Sequence, residues 1–332
     1  GLDDFNVVTG NLYTLDRWEG TGTSSFDWDS ARIKQVSDSP DEFSNSLRVD
    51  IGNTETPSGG HNGLIRTRLE AQNLQHLAYG TSSAKSCTLS FWVRSNKTGT
   101  YCVQIQHRDD DKYVLYEYSI SSANTWEKKT ITFAGNTSGA INNDNGLGFS
   151  IVFHLACHSD DHVSATTSWT ANNSGKLYAT SNQVNLWDHA DNVWYLTGVQ
   201  LEVGSTASDF EYRSYSDELA KCQRYYQKFS GELDDTLGIS GSAWSTSYVV
   251  FGIQHLVQMR AAPTYVGYND CRFQAQSDST AFDASGMGVL NATVDGMTTA
   301  IYKSGQSNMV VGQAGNLQSK ENGMYISFSA EL

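Results

Sequence analysis

Polar and apolar residues alternate with a period of two along most of this chain, and that spacing leaves it few folds. Residues 46–51 read SLRVDI, and residues 87–95 read CTLSFWVRS with Leu89, Phe91 and Val93 on one face. The runs YCVQIQH (101–107), YVLYEYSI (113–120), EKKTITF (127–133), LGFSIVFHLA (147–156) and VWYLTGVQLEV (193–203) continue the series. Successive side chains of a strand point to opposite faces, so each run reads as a strand with one face toward a core. Turn clusters between runs, at roughly 8–12-residue spacing, predict an antiparallel sandwich. A length of 332 residues is comfortable for two such domains, since domains cluster near roughly 100–200 residues.

One segment breaks the pattern. Residues 216–229, SDELAKCQRYYQKF, contain no Gly or Pro and predict a helix. Ser214 or Ser216 can cap it, with Asp217 and Glu218 in its first turn and Lys228 in its last, as the helix dipole favours. Leu219, Cys222, Tyr226 and Phe229 recur at three-and-four spacing and make one apolar stripe, to pack on a sheet or to line a short oligomer axis. Beyond Gly231 the strand pattern returns in TSYVVFGI, TYVGY, GVLNATV, TAIYKS, NMVVGQ and GMYISFSAEL, with no second helix. A linker falls in residues 230–238. The expected architecture is all-β: an antiparallel sandwich over residues 1–212, a connecting helix over 213–230 and a smaller C-terminal β domain over 231–332. No repeat of solenoid length is visible.

Composition removes several functional classes. Asp and Glu total 36 against 22 Lys and Arg, a net charge of −14. Nucleic-acid binding needs a basic footprint, and docking on an anionic membrane needs the same. Apolar runs stop at a handful of residues, far short of the roughly 20 of a spanning helix, so membrane insertion is not expected. No secretory leader pattern is visible, and Gly1 as the first residue points to a fragment or a processed product. Cysteines stand at 87, 102, 157, 222 and 271. An odd number without C-x-x-C reads as free thiols packed as small core residues.

Candidate chemistry is sparse. HLACHSDDH brings His154, Cys157, His158, Asp160, Asp161 and His162 together, but not at a recognised zinc spacing; a strand end running into a polar loop explains it better. RDDDKY (108–113) sets three carboxylates at a turn without the register of a calcium loop. Asp234 and Asp235 are sequence neighbours and do not make a glycosidase pair. Nucleophile-elbow, phosphate-loop and zinc-protease motifs are absent. A catalytic role is therefore not expected.

Sugar binding fits better. Such a site pairs a ring with a few placed polar groups. The long polar loop expected over 159–182 carries SWTANNS, with Trp169, Asn172 and Asn173, followed by Tyr178. NLWDHADN offers Trp187, Asp188, His189 and Asp191, and Trp28 is a further candidate. Each of these rings could instead fill a core or a subunit contact. Trp92 and Trp194 sit within strand runs and read as packing residues.

Residues 197–229 read TGVQLEVGSTASDFEYRSYSDELAKCQRYYQKF. Val199, Leu201 and Val203 share one face of a strand; Gln200 and Glu202 share the other. Glu202 could bind a cation, pair with Arg213 or accept backbone N–H groups. Arg213, Glu218 and Arg224, with Tyr225 and Tyr226, read as a domain-junction or subunit-contact network. The segment resembles one that recurs in bacteriophage virion proteins of the tail-fibre and tailspike type. DRW (16–18), TLSFWVRS with TGTY (88–101), TWEKKTITFAG (125–135), Trp169, VNLWD (184–188), QMRAAPT (258–264) and the terminal ISFSAEL match the same family. The Pro commonly found before the Phe of the motif is Asp209 here. An opening of the type N-l-iNGdF, usual ahead of DRW, is absent.

The resemblance implies a jelly-roll domain similar to carbohydrate-binding modules, then the helix, then a small β domain. It implies a structural and adhesive protein without a catalytic centre, a homotrimer in fibres. Its partners would be itself, other virion tail proteins and a host cell-surface glycan, and its place the exposed part of a virion. A structural calcium ion at a strand edge is the one cofactor compatible with this reading.

Overall fold

The computed structural model describes residues 5–6, 12–15, 17–22, 31–58, 62–173, 176–275, 281–303 and 309–331. The chain is all-β and divides into two compact units that meet in sequence between Tyr212 and Arg213.

The first unit is an antiparallel jelly roll of two sheets. One has six strands in the order Phe5–Asn6, Arg32–Val36, Ser46–Asp50, Val193–Val203, Cys87–Ser95 and Glu127–Phe133. The other has seven: Thr166–Ala171, Lys112–Ile120, Gly99–His107, Leu147–Cys157, Asn62–Glu70, Trp18–Gly22 and Leu12–Leu15. The alternation places Leu89, Phe91 and Val93, Tyr101, Val103 and Ile105, and Phe149, Ile151 and Phe153 in the single core between the sheets. Phe91 meets Phe153 edge to face at 5.0 Å, an arrangement that ring quadrupoles favour.

The second unit has its own core around Phe251, Phe273, Phe282 and Phe328. Seven strands run in the order Ala281–Asp283, Cys271–Ala275, Ala314–Ser319, Thr236–Ser245, Tyr248–Gln254, Gly296–Tyr302 and Gly286–Ala292. Tyr226–Gly231, Met324–Ser329 and Thr264–Asn269 form a three-stranded sheet.

Two expectations need correction. The helix spans Tyr215–Gln223, capped by Ser214, whose hydroxyl accepts from Asp217 N at 3.2 Å. None of its residues is buried, so the anticipated apolar stripe covers nothing within the helix. Tyr226 and Phe229 instead belong to the strand Tyr226–Gly231, paired with Met324–Ser329. Aromatic residues suit a pleated surface, and ladder pairing with a distant partner outweighs local helix propensity. The second correction concerns the polar stretch 159–182, which is not a continuous loop: Thr166–Ala171 is an edge strand beside Lys112–Ile120.

Candidate functional site: the outer face of the seven-stranded sheet

In the jelly roll's seven-stranded sheet, residues that alternate with the core positions face outward. Two rows of them cross the sheet in register. One runs Glu19, Arg66, Val152, Gln104 and Leu115; the next runs Arg68, Ser150, Gln106 and Tyr113. Most are buried although they lie on the outside, because the chain folds back over them. The carbonyl of Lys176 accepts from Gln106 Nε2 at 2.9 Å and Gln104 Nε2 at 3.2 Å, and Tyr178 N donates to Gln104 Oε1 at 3.4 Å. The Tyr178 ring lies 5.1 Å from that of Tyr113. Asn62 anchors the same segment through Asp161 Oδ2 at 2.9 Å and the Leu177 carbonyl at 3.3 Å.

At the other end of the rows stands a charge cluster. Glu19 is fully buried and takes a two-pronged contact from Arg66, 2.8 Å on each oxygen, while Arg68 approaches at 3.2 Å. A buried carboxylate needs such partners, since burial without them costs several kcal/mol (roughly 3–5 when one partner is removed). The Arg66 and Arg68 side chains remain 12% and 16% exposed, so solvent reaches the floor here. Beside Arg68, the Ser150 hydroxyl is buried with no hydrogen-bond partner among the described residues. A buried polar atom left unpaired costs about 1–3 kcal/mol. Solvent therefore reaches the guanidinium groups of Arg66 and Arg68, while Gln104, Gln106, Ser150, Tyr113 and Tyr178 form a buried layer beside them.

The residues expected from sequence fall elsewhere or differently. Trp169 packs inward, edge-on to Tyr79, His107 and Phe133, and its indole N–H donates to the Ala134 carbonyl at 2.8 Å. It closes one end of the core rather than offering a free ring. Trp187 is completely buried; with no ring face in solvent, it is a core residue and not a sugar platform. Asn172 is also fully buried, its amide without a partner among the described residues. Asn173 donates to the hydroxyl of the buried Tyr178 at 3.4 Å. Asp188 is taken by Lys97 at 2.6 Å and Asn192 at 2.7 Å. Trp28 lies outside the described residues.

The TGVQLE segment holds the chain rather than a ligand. Glu202 accepts from Ser208 N at 2.9 Å and Ser208 Oγ at 2.7 Å, and Gln200 Oε1 accepts from Glu211 N at 2.8 Å. The hydrogen bond from Ser208 Oγ holds the Glu202 carboxyl below the usual range. Arg213 pairs with Glu218 at 3.5 Å, not with Glu202, because Glu202 is already occupied by the returning chain. Arg224 caps the helix C-terminus and its carbonyl accepts from Arg260 N at 2.8 Å; Tyr225 is buried and its carbonyl accepts from Ala330 N at 2.7 Å; Tyr226 is the exposed start of a strand.

His154, Cys157 and their acidic neighbours do not assemble: among the described residues no three His, Cys, Asp or Glu side chains form a metal-sized group. His154 lies fully buried, its pKa pushed down to about 3 by burial, and burial pushes Cys157 up to about 12. The carboxylates of the RDDDKY turn are used separately, Asp109 by Asn142 and Asp110 by Lys112 and Asn136.

Sequence reasoning missed Arg66, Arg68, Gln104, Gln106 and Ser150. Their signal was present: R-x-R and Q-x-Q put polar groups at every second position of strands whose other face is apolar. What sequence lacks is the register that aligns these strands into rows.

No protein-family model matches the chain, and no curated protein matches it. Among solved structures, the enzymatically active domain of bacteriophage CBA120 tailspike protein 4 aligns at 13% identity and TM-score 0.32, over 60% of this chain and 21% of that one. The chain thus spans about a fifth of that domain's length. The C-terminal family 22 carbohydrate-binding module of Clostridium thermocellum Xyn10B aligns at 11% identity and TM-score 0.31, over 59% of this chain and 91% of the module. A family 11 carbohydrate-binding module from Clostridium thermocellum, in complex with a mixed-linked tetrasaccharide, aligns at 14% identity and TM-score 0.30, over 60% and 95%. TM-scores this low assign neither a family nor a ligand to this chain.

Proposed function

We infer that this protein is a virion attachment component of the tail-fibre or tailspike type, which binds a host surface glycan and does not cleave it. The observation that carries glycan binding is the outer face of the jelly roll's seven-stranded sheet. There the Arg66 and Arg68 side chains, 12% and 16% exposed, stand on adjacent rows beside a buried layer of Gln106, Ser150, Tyr113 and Tyr178. A sugar presents hydroxyls in a fixed pattern, and two neighbouring guanidinium groups offer donors that match it. The virion role is supported by the resemblance of residues 197–229 and their flanks.

The non-catalytic reading is supported by how the carboxylates on this face are engaged. Glu19 is held by two arginines, and Glu117 accepts from Thr180 and Asn182. Neither is poised over open space as a general acid. The test is to incubate the protein with polysaccharide from the surface of candidate host cells. Retention on the polysaccharide without release of new reducing ends is expected. Release of reducing ends would instead identify a depolymerase. The same preparation, weighed by light scattering with and without EDTA, tests the trimer and a calcium contribution to it. A mass of three chains that falls in EDTA supports both, and a monomer in both conditions removes both.

A further inference from the structure

We propose that the second unit carries its own glycan platform, on the outer face of its seven-stranded sheet, and that it takes a neutral, extended sugar chain. The core face of the strand Tyr248–Gln254 holds Val249, Phe251 and Ile253. The alternate positions therefore face outward. One row across four strands reads Ser242, Val250, Ala300 and Gly288. Its neighbour includes Asn316 and Ser240, whose hydroxyl donates to Asn316 Oδ1 at 2.9 Å. A side chain at Gly252 or Gly288 would meet no atom within 4 Å, so the floor is flat and open there. Strands about 4.8 Å apart make it wide enough for several sugar rings.

An aromatic shelf bounds this floor. Tyr248 and Tyr302 are cross-strand partners whose rings stack at 5.4 Å and 23°. A Cβ on Gly286, the residue opposite Tyr302, would lie 2.0 Å from Tyr302 Cζ. Glycine at that position is what lets the ring lie down over the sheet. Trp244, on the bulge beside this pair, is 77% exposed.

The occupant follows from the chemistry. Side chains of at most four heavy atoms give a protein partner little to interlock with. Stacked rings suit the C–H faces of a pyranose, and serine and asparagine suit its hydroxyls. In a chain of net charge −14, the two rows carry no ionisable group, and this favours a neutral ligand over a charged one.

The test is affinity electrophoresis of the whole chain through gels cast with dextran, mannan or galactan, with alginate as the anionic control. At least one neutral polymer should retard the protein. Trp244→Ala and Tyr302→Ala should each weaken that retardation about five- to tenfold. Gly252→Glu, whose new side chain has open space, should weaken it while leaving the melting temperature unchanged. Gln106→Ala, in the other unit, should leave the part sensitive to Trp244 intact. Retardation that no second-unit variant changes would overturn the proposal, as would retardation by alginate alone or by nothing. A multimer that Trp244→Ala converts to monomer would also overturn it, by giving the face to a second copy of the chain.

Discussion

At Gly198 the backbone takes φ +58°, in a bulge between Thr197 and Gln200, and a Cβ there would sit 2.5 Å from Phe43 Cζ. Phe43 in turn packs on Phe210 at 5.0 Å and on Tyr212 at 5.9 Å. The glycine is thus what lets the end of the jelly roll close over its last strand. Gly198→Ala should cost about 1–3 kcal/mol in urea unfolding, from backbone strain and the displaced ring. Glu202 makes a second prediction. Its folded pKa is lowered, first by the Ser208 hydroxyl, so its bonds contribute fully above the unfolded value of about 4.3 and are lost as pH falls through the folded one. Melting curves of the native protein and Glu202→Gln should therefore differ near neutral pH and converge below the folded value; a constant gap across that range would refute the assignment. Single residues also show how far the sequence could be read. Alternation placed Val199 and Leu201 against the core, whereas Val203, expected on the same apolar face, is exposed. The role of Trp187 did not follow from alternation, because a short polar-flanked segment can dip into a core only when distant strands leave room for it.

Strands were legible where one face is apolar and the other wet, as in Glu127–Phe133. They were harder to assign function where both faces are buried. Gly99–His107 is such a strand: Tyr101, Val103 and Ile105 face the core, and Gln104 and Gln106 lie under the returning chain. Those two amides fasten residues 176–178 across the sheet. In a Gln104→Ala, Gln106→Ala double variant, the Tyr178 amide should exchange with solvent at least tenfold faster by hydrogen exchange, the loss of about 1.4 kcal/mol of local stability. Unchanged exchange would mean that the Asn62–Asp161 contact alone holds the segment. The helix shows the opposite limit of sequence reasoning. Its cap and first-turn acids were readable, but its end was not, since only the partner strand Met324–Ser329 explains why Tyr226 leaves the helix.

For the molecule as a whole, two β units with separate cores account for a long chain with little charge and few helical segments. The division falls at Tyr212–Arg213, and Tyr226–Gly231 pairs with the last strand of the second unit. The candidate site was the least legible feature. Its residues come from at least four strands spread from Glu19 to Ser150, with Tyr178 beyond them, and only the sheet assembles them. Calorimetric titration of a bound host oligosaccharide into the native protein, Arg68→Ala and Trp169→Ala is the most direct test of that site. With Arg68 on the floor and Trp169 in the core wall, Arg68→Ala should weaken binding about tenfold or more, a loss of roughly 1.4 kcal/mol. The folded Trp169→Ala protein should bind within about twofold of native. Full affinity in Arg68→Ala together with lost affinity in a folded Trp169→Ala would contradict the account and return the site to the edge strand.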